Sequence, residues 1–227
     1  MYRFCLPLFF LLLQTAWGLI LETETLADIH GYLEEKTLVI FDIDNTLIAP
    51  IGILGSDQWA WARVKELKAK GLSEKEAFHQ TMEEWRQLHA NMKMQTLEKD
   101  TAALVQNLQA LNYPLIALTT RTPEDASLTR RELVQVGIDL KRTAIADGPL
   151  ELALQEKAAF IDGILFISLE NAKGDALKEF LHQTAYLPAK IIFIDDKLSH
   201  IKSVEKACFS LGLDFVGLRY GAADNQL

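Results

Sequence analysis

The chain has 227 residues, 49% hydrophobic and 24% charged, with a formal net charge of -8. That composition fits one globular domain with at most a small insertion. The acidic balance argues against a nucleic acid polymer or an anionic membrane as main partner, while leaving room for a small anionic substrate held by a local positive site.

The chain opens "MYRFCLPLFFLLLQTAWG", with Arg3, an apolar run from Leu6 to Leu13, and small residues at Ala16 and Gly18. This reads as a secretory signal peptide over residues 1–18, cleaved after Gly18, with an uncleaved anchor as the rival reading. The apolar run is too short to span a bilayer. An exported protein follows, periplasmic or secreted, with no membrane contact beyond the signal and a folded domain over 19–227. Cys5 and Cys208 are the two cysteines. Loss of Cys5 leaves Cys208 without a partner, and an exported chain without disulfides favours a bacterial source.

After the signal, "ETETLADIHGYLEEK" predicts a short helix with Leu26, Ile29 and Leu33 on one face. Leu38–Phe41 is fully apolar, as suits a strand covered on both faces in a parallel sheet. Residues 51–95 predict two inserted helices. The first is capped at Ser56, and the second opens with Ser73 and Glu76 in capping-box spacing. A helix over "TLEKDTAALVQNLQAL" and the strand "PLIALTT" follow. Thr122 and Pro123 stand as N-cap and first residue of the next helix. "TAIAD" and "GILFIS" predict short strands. The helix "GDALKEFLHQTAYL", the strand "KIIFID", the helix "KLSHIKSVEKACFSLG" and the strand "DFVGLRY" complete the chain. Strands alternating with helices predict an α/β fold, a three-layer Rossmann-like parallel sheet with a small helical cap insertion after the first strand.

Ligands bind at the carboxyl ends of strands in such sheets. Here the first strand ends in Asp42-Ile43-Asp44, the second in Thr119, Thr120 and Arg121, and the late one in Asp195 and Asp196, with Lys173 in "NAKGD" just before the preceding helix. Converging carboxylates repel one another unless a cation joins them. An oxygen-rich site suits Mg²⁺. A metal, a lysine and a threonine hydroxyl together make a receptor for a phosphoryl group. A free aspartate beside that group can attack phosphorus, and a second carboxyl can protonate the leaving oxygen and then activate water. The second role requires Asp44 protonated at first, so neighbouring acids are expected to raise its pKa.

In order, "DIDNT", "LTTR", "NAKGD" and "IDD" resemble the four motifs of the haloacid dehalogenase superfamily, specifically its aspartate-dependent phosphohydrolases, from Leu38 to about Tyr220. The resemblance implies Asp42 as nucleophile and Asp44 as acid/base that also lends its backbone carbonyl to Mg²⁺. It implies Thr119, or its neighbour Thr120, and Lys173 as phosphate ligands. Asp196 would be a direct metal ligand, and Asp195 a direct or water-mediated one. The helical insertion and export signal look most like the secreted acid phosphatases of this superfamily, which makes Trp59 in "SDQWAW" a candidate substrate contact. Asn45 departs from the more usual Gly or Asp. Arg121 is a second-rank substrate contact, more often a surface or capping residue.

The reading is therefore an exported Mg²⁺-dependent phosphomonoesterase acting on a small phosphate monoester or phosphorylated substrate. Two rivals stand beside it: a phosphotransferase of the same fold, and a non-catalytic binding or storage protein.

Overall fold

The structure, a computed structural model, describes residues 18–224. The expected signal peptide, with Cys5, lies outside the described residues except for Gly18. In chain order the strands and α-helices are β1 (Gly18–Thr23), β2 (Thr37–Phe41), β3 (Ile48–Pro50), α1 (Asp57–Ala69), α2 (Glu74–His89), β4 (Met94–Thr96), α3 (Thr101–Ala110), β5 (Leu115–Thr119), α4 (Ala126–Gln135), β6 (Leu150–Leu152), β7 (Ala158–Ile161), β8 (Ile164–Phe166), α5 (Lys173–Thr184), β9 (Lys190–Asp195), α6 (Leu198–Leu211) and β10 (Asp214–Tyr220).

Eight strands form one sheet in the order β1-β10-β9-β2-β5-β8-β7-β6. The pairs from β1 to β8 are parallel, and β6, β7 and β8 pair antiparallel. Side-chain alternation divides each strand between two cores. Val39, Phe41, Leu115, Ala117, Ile192 and Ile194 pack on one face with Val105 and Leu108 of α3 and Leu133 of α4. Leu38, Ile40, Ile116, Leu118, Ile191 and Phe193 pack on the other with Leu177 and Phe180 of α5 and Val204 of α6. Both faces are covered, which explains the wholly buried β2, β5 and β9. The three-layer α/β architecture expected from the sequence is the one found.

The insertion is framed by β3 and β4, which pair antiparallel. Between them α1 and α2 pack through Val64, Leu67 and Ala77. Ser56 accepts from the Trp59 N–H, and Ser73 and Glu76 close the capping box.

Four local expectations change. Leu26–Tyr32 is a 3₁₀-helix, because Leu26 and Ile29, three apart, both turn inward. "TAIAD" is irregular after a 3₁₀ turn at Leu140–Thr143; Ala144, Ile145 and Ala146 lean on the second core without joining the sheet. Beyond it β7 and β8 form a hairpin that the sequence reading missed. Its two-residue turn, Asp162-Gly163, has φ of 50° and 87°, the conformation that Asp-Gly favours in tight hairpins. Finally, β1 adds an edge strand that begins at Gly18, the residue after which cleavage is expected.

Candidate active site

The sheet changes direction at β2: β5 and β8 lie to one side, β9 and β10 to the other. The carboxyl ends of β2 and β9 therefore flank a topological switch point, where a crevice opens in folds of this kind. Asp42 follows β2, and its N–H donates to the Ile194 carbonyl at 2.8 Å. Asp195 ends β9 and Asp196 follows. One carboxylate oxygen from each of Asp42, Asp195 and Asp196 lies within 4.8 Å of the others.

The chain leaves Asp44 through a tight turn. Asn45 has φ of 60°, and the Leu47 and Ile48 N–H groups both donate to the Ile43 carbonyl at 3.0 Å. A left-handed residue is needed here, and asparagine accepts that conformation better than most side chains. Its side-chain amide also points to Asp196 Oδ2, at 3.4 Å.

Lys173 opens α5. Its Nζ donates to Asp42 Oδ1 at 2.5 Å and to Asp195 Oδ2 at 2.7 Å, with the side chain only 1% exposed. Gly174 sets that start. Its N–H donates to Ser203 Oγ at 3.0 Å, and a Cβ there would meet the Ser203 carbonyl oxygen at 2.1 Å. Only glycine lets α5 approach α6 so closely, so "NAKGD" is as much a packing motif as a chemical one.

Charge at this edge is unbalanced. Burial, with Asp195 and Asp44 nearby, pushes Asp42 up to about 6 against the pull of Lys173. Burial would raise Asp195 as well, but Lys173 and His200 bring it to about 2. His200 Nδ1 lies 3.0 Å from Asp195 Oδ2, and the Lys197 N–H donates to Oδ1 at 2.7 Å. Burial and the Asp42 charge push Asp196 up to about 8. Its Oδ1 is buried and has no hydrogen-bond partner among the described residues. Asp42 Oδ2 is nearly as free, with only the Thr46 hydroxyl at 3.4 Å. An orphaned carboxylate oxygen in a cluster of hard oxygen donors fits a Mg²⁺-type cation. Asp42 and Asp196 are best placed to hold it. Asp195, whose oxygens already accept from Lys173, His200 and Lys197, stands behind them.

The remaining sequence-predicted residues divide. Thr119, buried at the end of β5, accepts from the Arg121 N–H at 3.2 Å. Thr120 beside it is half-buried. Trp59, in the first turn of α1, is also half-buried. The Asp44 carboxylate is not among the clustered oxygens. It turns to Arg121, whose Nε donates to Oδ2 at 2.9 Å and Nη2 to Oδ1 at 2.7 Å. Burial alone would raise the Asp44 pKa, but this guanidinium holds it below the usual range, the opposite of the expected shift. Arg121 likewise departs from its expected role. It is buried, and its other edge donates to Thr129 and Glu132, so it does not face a substrate.

Sequence reasoning passed over His200, Lys197, Glu132 and His89. His200 and Lys197 follow Asp195 by five and two residues and could have been found by asking what partners a strand-end acid. Glu132 and His89 sit on helices far apart in sequence, and no local pattern joins them.

A family model described as "Protein of unknown function (DUF2608)" matches residues 22–227. The chain belongs to the DUF2608 family. A protein of Chlamydia pneumoniae named "Putative outer membrane protein" is 26% identical to this DUF2608 chain over 206 residues, covering 89% of this chain and 77% of its own length. One of the same name from Chlamydia trachomatis serovar D is 25% identical over 227 residues, covering 97% and 85%. Among solved structures, a haloacid dehalogenase-like hydrolase from Streptococcus pneumoniae is similar at 16% identity and a TM-score of 0.47, covering 80% of this chain and 93% of that one. A likeness at that score carries no argument about the chemistry of the DUF2608 site, which rests on its own geometry.

Proposed function

We propose that this chain is an exported, Mg²⁺-dependent phosphomonoesterase acting through an aspartyl phosphate on Asp42, in the manner of the secreted acid phosphatases that its motifs resemble. The observation that carries the reading is the charge imbalance at the switch point: Asp42, Asp195 and Asp196 gather there, Lys173 reaches only the first two, and a buried Asp196 oxygen has no hydrogen-bond partner among the described residues.

Lys173 orients the Asp42 carboxylate, one oxygen of which attacks phosphorus as the bond to the leaving oxygen breaks. Lys173 then lies beside the transferred group and offsets its charge. Thr119 or Thr120, from the neighbouring strand end, serves as a hydroxyl contact. Asp44, held ionised by Arg121 in the free protein, takes the proton of the phosphate monoester monoanion as it binds and passes it to the leaving oxygen. It takes one back from the water that hydrolyses the phosphoryl-Asp42 bond, regenerating the free carboxylate. Asp42 and Asp196, with the Asp44 carbonyl and Asp195 in support, would hold Mg²⁺, which would neutralise charge on the acids and the phosphoryl oxygens. A small phosphate monoester or phosphorylated substrate suits the crevice, with Trp59 as a candidate contact for its leaving group.

Two things support export: the signal-like opening, and the outer membrane location in the names of the chlamydial relatives. Among the described residues no helix is long and apolar enough to cross a membrane. The test is release of the alcohol from an aryl phosphate by the protein without residues 1–18, with and without Mg²⁺, beside Asp42→Asn. Release that needs Mg²⁺ and is lost in the variant is expected. Full turnover in Asp42→Asn would sink the proposal.

A further inference from the structure

Behind Asp44 runs a chain of buried charges that ends in the inserted helices. Arg121 grips both Asp44 oxygens on one edge. On the other, its Nη1 donates to Glu132 Oε2 at 2.7 Å and to the Thr129 hydroxyl at 3.0 Å. The Trp85 ring of α2 covers its face, 4.8 Å from the guanidinium carbon. The second Glu132 oxygen meets His89 Nδ1 at 2.7 Å, and His89 Nε2 faces the Gly55 carbonyl at 2.9 Å. Both ring nitrogens of His89 therefore face an oxygen, which fixes the ring at both ends. It also stacks on Trp85, with centroids 3.7 Å apart. The Arg131 side chain donates to the His89 carbonyl at 2.6 Å. Charge thus alternates along Asp44, Arg121 and Glu132, His89 closes the run, and the side chains of Glu132 and His89 are each 1% exposed.

We infer that Arg121 is the positioning residue for Asp44, and that Glu132 and His89 extend its hold into α2, so that the inserted helices set the orientation of the candidate acid/base. The inference rests on the reading of Asp44 just given. Burying charged groups is costly, and apolar packing holds helices together at lower cost. What the ion chain supplies instead is direction: a two-point guanidinium grip fixes the plane of a carboxylate. Four Arg121 donor contacts are taken, none by the crevice. Glu132 touches neither Asp42 nor the clustered acids, so a change there reaches the chemistry through Arg121. A second tie between the inserted helices and the core, Arg86 Nε to Asp125 Oδ1 at 2.7 Å, bypasses Asp44 and provides the control.

The experiment compares Glu132→Gln, Arg121→Lys and Arg86→Gln with the parent on an aryl phosphate. Thermal midpoints report folding, and calorimetric titration reports Mg²⁺ affinity. Glu132→Gln and Arg121→Lys are expected to lower kcat by about 10- to 100-fold with KM within about twofold, as for a misplaced catalytic group. Their double variant should lose little more than the worse single one, because the two residues act through one grip. Arg86→Gln should keep the parental kcat, and Mg²⁺ affinity should be unchanged throughout. Should Glu132→Gln not fold, Arg121→Lys against Arg86→Gln decides. Unchanged kcat in the folded Glu132 and Arg121 variants, or an equal loss in Arg86→Gln, overturns the inference while leaving the phosphatase reading intact. Absence of hydrolysis by the parent overturns both.

Discussion

The molecule buries charge in two places, and they differ in balance. From Asp44 through Arg121 to Glu132 signs alternate, and each oxygen of Glu132 has a partner, Arg121 on one side and His89 on the other. At the ends of β2 and β9, three acids crowd together and Lys173 reaches two of them, while nearby Lys197 gives its Nζ to Asp57. One carboxylate oxygen there has no hydrogen-bond partner among the described residues. A balanced chain is finished by folding and can hold something in place. An unbalanced cluster is finished only by a further cation and so identifies where one belongs.

The sharpest way to break that contrast is Asp42→Asn, expected to reduce hydrolysis by more than about a thousandfold, as loss of a nucleophile does. Lys173→Met should show that the cluster is charged. It leaves Asp42 and Asp195 buried without their cation and is expected to destabilise the fold by about 3–5 kcal/mol, read as a lower denaturant midpoint at unchanged slope. A loss under about 1 kcal/mol would mean that these carboxylates are neutral in the folded protein.

The pH dependence of stability separates the two places further. Asp196 and Asp42 are raised, to about 8 and about 6. A raised folded pKa favours the protonated form, so their contribution is complete below about pH 4 and is lost as pH rises through 6 and then 8. Asp44 and Asp195 are lowered, so theirs holds above about pH 4 and is lost on further acidification. Without Mg²⁺ the thermal midpoint should therefore fall between pH 5 and 9. Saturating Mg²⁺ should flatten that slope, and Asp196→Asn should flatten it without the ion. A slope that Asp196→Asn leaves untouched would assign it elsewhere. The smallest effect belongs to Asp57→Asn. It removes a partly exposed tie at 2.6 Å and should shift stability by about 1 kcal/mol or less, as such pairs do.

The clustered acids and Lys173 were legible because each stands within two residues of a strand end or helix start, where a linear pattern reveals chemistry. The environment of Asp44 was not. Its partner Arg121 is 77 residues away, and the grip reverses the expected pKa shift. His89 lies in the last turn of α2, and its partner Glu132 is 43 residues further on. Stripes tell which face is buried, not which buried side chains meet. Lys197 takes the N-cap position of α6, with its N–H on Asp195 Oδ1. The missed hairpin was readable from Asp162-Gly163 alone. "TAIAD" misled because a short apolar run says that residues pack, not that they join a ladder.

The edge strand β1 has a consequence for assembly. It pairs in parallel with β10, Gly18 opposite Phe215 and Thr23 opposite Tyr220, so the first described strand waits for the last. Nearly the whole chain must be present before that edge closes, and contacts of such long sequence separation form slowly. Lys173, Asp195 and Asp196 also come late in the chain. A chain still being made or threaded head-first therefore carries Asp42 without the partners that bury it. Completion of the sheet and completion of the anionic cluster are the same late event.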